Sequence, residues 1–122
     1  MALGLMIAAL AGPALADQMQ FDLVCTGKQS DGHDWLRRVS VDLQRKAWCQ
    51  RPGGDWTGCA SVGAIQEVAP GRIVFYDEYG LNGHSAFVVD RGDGTASEDQ
   101  TVVQAKGACK RAPFTPMPAN RF

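Results

Sequence analysis

Between Phe21 and Cys109 the chain alternates short apolar and polar runs broken by Gly, Pro, Asn and Asp, the pattern of antiparallel strands joined by tight turns. Phe21, Leu23 and Cys25 share one face of a first strand. Val39, Val41 and Leu43 share one face of a second, with Arg38, Ser40, Asp42 and Gln44 opposite, so both strands are buried on one side. Arg51-Pro52-Gly53-Gly54-Asp55 turns the chain into a third run through Val62, Ile65 and Val68. Pro70-Gly71 opens a fourth, residues 72–76, which is apolar on both faces. A loop from Gly80 to Gly83 precedes Ala86-Phe87-Val88-Val89, and Gly92-Asp93-Gly94 is a hairpin turn tolerant of positive φ. The last strand covers residues 101–109. No helix of useful length is predicted. The expected fold is all-β, a single small antiparallel barrel or curved sandwich of six to eight strands over residues 17–111. Residues 112–122 form a Pro-rich extended tail, because proline has no amide to donate to a ladder.

The cysteines add a covalent frame. Val103, Ala105, Gly107 and Cys109 share a face of the last strand as Phe21, Leu23 and Cys25 do on the first, so Cys25 and Cys109 both point inward. Neighbouring first and last strands would let a Cys25–Cys109 bridge close the meander and remove its raw edges. Cys49 and Cys59 flank the Pro-Gly-Gly turn and form the second expected bridge, although four cysteines permit three connectivities. Zinc ligands pair about two to four residues apart, and the nearest cysteines here are more widely spaced, so no metal or other cofactor is expected.

Composition changes the picture at the N-terminus. Residues 1–16 are uncharged, rich in Ala, Leu, Ile and Met, and end in Ala14-Leu15-Ala16, which reads as a cleaved signal peptide. The run holds about 15 apolar residues where roughly 20 would cross a bilayer. The expected location is periplasmic or secreted, where the cysteines can oxidise. A net charge of −1 gives no reason to expect a nucleic-acid or membrane partner. The charge is segregated, however. Arg37, Arg38, Arg45, Lys46 and Arg51 face only Asp42 in one stretch, whereas Asp77, Glu78, Asp90, Asp93, Glu98 and Asp99 face only Arg91 in a later one.

Candidate chemistry is sparse. The two histidines, His33 and His84, fall in polar loops, and adjacency of His84 to Ser85 does not make a triad, since neighbours on a strand point apart. His33 with Asp31 and Asp34 could offer metal or acid/base ligands if Asp77 approached. Asp77 and Glu78, being adjacent, are poor partners for one glycosidic bond. Asp90-Arg91-Gly92-Asp93-Gly94-Thr95 lacks the distal Glu of a calcium loop and reads as a turn. Trp48 beside Cys49 is expected to pack on the disulfide or a barrel end. Arg51 and Trp56, on a disulfide-tied loop, are the candidate partner-binding pair, with Trp56 as a barrel plug being the alternative.

The segments Phe21-Asp22-Leu23-Val24-Cys25-Thr26-Gly27, Val41-Asp42-Leu43 leading to Trp48-Cys49, Cys59, and Gly107-Ala108-Cys109 with Pro113-Phe114 resemble small exported alphaproteobacterial proteins of no assigned function. In outline the chain is also similar to the periplasmic C-type lysozyme inhibitors, small disulfide-closed barrels with cysteines near both ends. Their inhibitory Ser-Gly-x-x-Tyr loop has no counterpart, the nearest stretch being Gly80-Leu81-Asn82-Gly83-His84-Ser85. The expected role is a non-catalytic, monomeric envelope binding or inhibitory module with a macromolecular partner. A barrel carrying a small apolar ligand is the alternative, and a hydrolase using His33 and Asp34 is the third.

Overall fold

The computed structural model describes residues 18–52, 58, 59 and 61–118. The segment read as a signal peptide and the candidate Trp56 lie outside the described residues. Nine strands follow one another: β1 (Gln20–Gln29), β2 (Asp34–Asp42), β3 (Ala47–Gln50), β4 (Val62–Ala64), β5 (Glu67–Val68), β6 (Arg72–Gly80), β7 (Gly83–Asp90), β8 (Thr95–Gln100) and β9 (Val103–Ala112). They make one antiparallel sheet in the order β4-β3-β2-β1-β9-β8-β7-β6-β5, curled into a half-barrel.

The all-β expectation holds, and the strand count is corrected from six to eight to nine. The cause lies in the third run, expected as one strand. Its first half pairs with β3, Cys49 opposite Val62, and its second half pairs with β6, Val68 opposite Ile73. Between them the chain changes partner: the Ile65 amide donates to the Lys46 carbonyl at 2.8 Å, and the Gln66 amide to the Phe75 carbonyl at 3.3 Å. Both edges of the sheet are therefore one stretch of chain, each edge strand only two or three residues long. Short edges of this kind offer little template for pairing with another chain.

Both expected bridges are present, Cys25–Cys109 and Cys49–Cys59. The first joins the first and last strands as expected: Cys25 and Cys109 are register partners on β1 and β9, with Cα atoms 3.9 Å apart, so the two ends of the meander pair with each other and the edges of the sheet fall at β4 and β5. The bridge locks the seam where N- and C-terminal parts of the domain meet.

The concave face is filled. Trp35, Phe75 and Phe87 are among the largest fully buried side chains, and Val39, Val41 and Ile73 pack with them. Phe75 and Phe87 stack with centroids 4.7 Å apart, and the Trp35 ring meets Phe87 edge-on at 6.2 Å. A β-bulge between Val74 and Tyr76 lets consecutive residues Phe75 and Tyr76 both pack against this core.

Asp22, Ser40 and Asp42 alternate with the core residues and face the other way, yet all three are buried. Residues 113–118 cover part of them: Thr115 donates its amide (3.0 Å) and its hydroxyl (2.6 Å) to the Asp22 carboxylate. Arg38 adds an ion pair to the same carboxylate at 3.1 Å.

Candidate functional site

At one end of the half-barrel the β6–β7 and β8–β9 hairpins present their tips side by side. The Thr101 amide donates to the His84 carbonyl at 2.9 Å, which ties the two turns together. Gly83 sits between them at φ +111°, and a Cβ there would also lie 2.8 Å from the Thr101 methyl, so only glycine fits the junction. Apolar side chains stand out from these tips: Tyr79 is 83 % exposed, Val102 84 % and Leu81 fully exposed. Single exposed apolar residues are ordinary, whereas three on two adjoining tips form a patch.

Beneath the tips an open cleft of about 760 Å³ runs between the β4–β5 edge segment and the inner side of β6 to β8. Trp48 and Tyr76, their rings stacked with centroids 6.1 Å apart, form its aromatic wall, and Gln66, Glu78, Ser85 and Gln100 line the rest. Behind the wall the buried Glu98 carboxylate accepts hydrogen bonds from Trp35 Nε1 (2.9 Å), Arg37 Nε (3.0 Å) and the Tyr76 hydroxyl (3.1 Å). Burial, and then the Glu98 charge, push the Tyr76 phenol up to about 12. Donors surround this carboxylate, which fixes Tyr76 and leaves Glu98 engaged as an acceptor.

His84, expected in a polar loop, opens strand β7 and is clamped between two carboxylates. Nε2 lies 2.6 Å from Asp77 and Nδ1 2.9 Å from Asp99, with Tyr79 stacked on the ring at 4.4 Å. The Asp77 hydrogen bond, then that of Asp99, raises the imidazole above its ordinary 6.5 against a desolvation effect that lowers it. Both nitrogens face acceptors, which favours the doubly protonated cation. Asp99 is held low by Gln104 first and His84 second. Only the sequence distance hid this cluster. Reading Gly80 and Gly83 as partners flanking a two-residue hairpin turn sets Tyr79 opposite His84 and Asp77 opposite Ala86, on one face.

The other expected residues are placed elsewhere. His33 bonds Asp31 at 3.0 Å, Asp34 pairs with Lys28, and Asp77 is taken by His84, so the His33–Asp34–Asp77 convergence needed for a hydrolytic site is not formed. No group of three or more His, Cys, Asp or Glu suited to a metal exists among the described residues. Glu78 faces the cleft while Asp77 faces His84, the divergence expected of strand neighbours. Arg51 is 3 % exposed, and its guanidinium bonds Ser40 Oγ (2.9 Å) and the carbonyls of Thr115 (2.8 Å) and Pro116 (2.9 Å). That placement makes it a clamp for the C-terminal strap. Among the described residues no helix is long and apolar enough to cross a membrane. Compared with known proteins, the chain matches no family model, no curated protein and no solved structure.

Proposed function

We propose that this protein is an exported, non-catalytic binding module that engages a macromolecular partner through the paired hairpin tips and the adjoining cleft. The observation that carries this reading is the patch of Tyr79, Leu81 and Val102 on two turns locked together by Thr101 and Gly83. The backbone that carries these anchors loses little ordering entropy on binding, because the two turns are already tied to each other. Trp48 and Tyr76 beside them supply rigid aromatic surface of the kind that dominates interface energy. The two disulfides are compatible with an oxidising periplasmic or extracellular compartment, and the apolar N-terminal segment supports export to it.

The filled concave face gives a ligand no room at the centre of the half-barrel, which favours the binding module over a lumen carrier. The test is capture from envelope extract by the wild-type protein and by a Tyr79→Ser/Leu81→Ser/Val102→Ser variant. A protein retained by the first and lost by the second, at equal thermal stability, supports the reading. Equal retention by both would remove the tips from it.

A further inference from the structure

Strand β5 is so short that it flanks β6 only at Ile73 and Val74. Traced back from β5, the chain leaves the flank of β6 at Gln66, whose amide meets the Phe75 carbonyl, and Ile65 already bonds Lys46 beside β3. The last four residues of β6, Asp77, Glu78, Tyr79 and Gly80, are all exposed and have no strand on their outer side among the described residues. The template for pairing with another chain therefore lies on β6 itself, not on the short strands at the edges.

Alternation along the ladder fixes which backbone groups are open. The two-residue turn makes Gly80 and Gly83 a hydrogen-bonded pair, and Glu78 and Ser85 are the next. Asp77 and Tyr79 thus turn their amides and carbonyls away from β7. Two contacts agree with this assignment. The Asp77 amide donates outward to Gln66 Oε1 at 3.0 Å, and the carbonyl of His84, the register partner of Tyr79, faces the other way and accepts from Thr101. The Tyr79 amide and the carbonyls of Asp77 and Tyr79 are left without a partner among the described residues.

Charge selects the occupant. Glu78 lines the cleft and has no hydrogen-bond or ion-pair partner among the described residues, while Asp77 and Asp99 share the one His84 cation. On a strand added beside β6, the residue opposite Glu78 points to the cleft side, and opposite charges facing each other across a strand pair are stabilising. Backbone bonds would hold such a segment, and that side chain would give it specificity.

We propose that an extended, basic segment of the partner adds as a strand to residues 77–80 of β6, with a Lys or Arg opposite Glu78. The inference rests on the reading that a macromolecule binds at the tips, and it supplies the chemistry of that partner.

The experiment is an amide-resolved NMR titration of the purified protein with the capped peptide Thr-Thr-Tyr-Lys-Tyr-Thr-Thr. Its comparison probes are the same peptide with Glu in place of Lys and a version with both Tyr amides N-methylated. Saturable shifts centred on the Tyr79 amide are expected, with nuclear Overhauser contacts between Tyr79 and the peptide backbone. The Glu peptide should bind about tenfold more weakly or worse. The N-methylated peptide, unable to donate to the Asp77 and Tyr79 carbonyls, should lose about fivefold or more. Glu78→Lys should reverse the preference between the Lys and Glu peptides at unchanged thermal stability. No saturable shift at residues 77–80, equal binding of the Lys and Glu peptides, or a dimer formed through β6 without peptide would each overturn the proposal. Capture from envelope extract separates it from the reading beneath it. A protein lost by the Tyr79→Ser/Leu81→Ser/Val102→Ser variant, yet retained by Glu78→Lys and undisturbed by excess Lys peptide, would overturn strand addition and leave the tips standing.

Discussion

Gly27 and Gly107 are register partners across β1 and β9, so close that neither has room for a side chain. A Cβ on Gly107 would lie 1.9 Å from the Thr26 carbonyl oxygen, and one on Gly27 would lie 2.0 Å from that of Lys106. The obstacles are backbone atoms, so the strands themselves would have to part. Two residues along the same face stand Cys25 and Cys109, and the bridge and the glycine pair together define the seam. Gly107→Ala should therefore destabilise the protein by about 3 kcal/mol or more, the upper end of overpacking costs. Urea unfolding under oxidising conditions measures it, and a loss below about 1 kcal/mol would mean the strands separate easily.

Arg51 makes the second test. Its removal leaves the carbonyls of Thr115 and Pro116 and the Ser40 hydroxyl without their donor in a buried place. Arg51→Met should cost about 2–4 kcal/mol, given roughly 1–3 kcal/mol for each buried polar group left unsatisfied. Thr115→Val, which removes the hydroxyl bond to Asp22, should cost less and should not add fully to Arg51→Met, because both act on the same strap. Equilibrium unfolding of the two single variants and the double variant decides it, and strict additivity would argue against a shared strap.

The histidine clamp gives stability a pH signature. Because the His84 pKa is raised in the folded state, its contribution is fully present below 6.5 and is lost as pH rises through the raised value. Asp99 works in the other direction, contributing above 3.8 and losing that contribution as pH falls through its lowered folded value. Raising pH from 6 to 9 should lower the melting temperature of the wild type more than that of His84→Gln. An NMR titration of the two imidazoles should show His84 titrating above 6.5, and a His84 midpoint below 6.5 would contradict the clamp.

Tyr76 should ionise near 12, where burial and the Glu98 carboxylate hold it. Ultraviolet titration of the phenolate band in the wild type and in Tyr76→Phe isolates this residue. An ordinary value near 10 would place the ring in open water and would dissolve the aromatic wall of the cleft.

Much of this fold was legible because alternation is a local property. Phe21-Leu23-Cys25 and Val39-Val41-Leu43 announce their buried faces within a few residues, and the same alternation aimed Cys25 and Cys109 at each other. What was not legible depends on which strand lies beside which. Run 62–68 looks like one strand by composition, and only the curvature of the sheet makes it change partner from β3 to β6. Buried polar residues misled in the same way. Asp22 and Asp42 alternate as solvent-facing residues should, but Thr115, 93 positions away, covers Asp22, and Gln20, 22 positions away, bonds Asp42. The bonds from Arg51 to the strap were hidden as well, since nothing local in Arg51-Pro52 points to Thr115. His84 needed the hairpin register to bring Asp77 within reach, and needed β8 to bring Asp99.

The claim on which the functional reading rests is that contact is made by the paired tips. Hydrogen exchange of the backbone amides, recorded with and without the retained partner, tests it most directly. The expected result is protection concentrated at residues 79–85 and 100–103, absent when the Tyr79→Ser/Leu81→Ser/Val102→Ser variant replaces the wild type. Protection confined to β1, β2 or the strap, with the tips exchanging as freely as in the unbound protein, would contradict it.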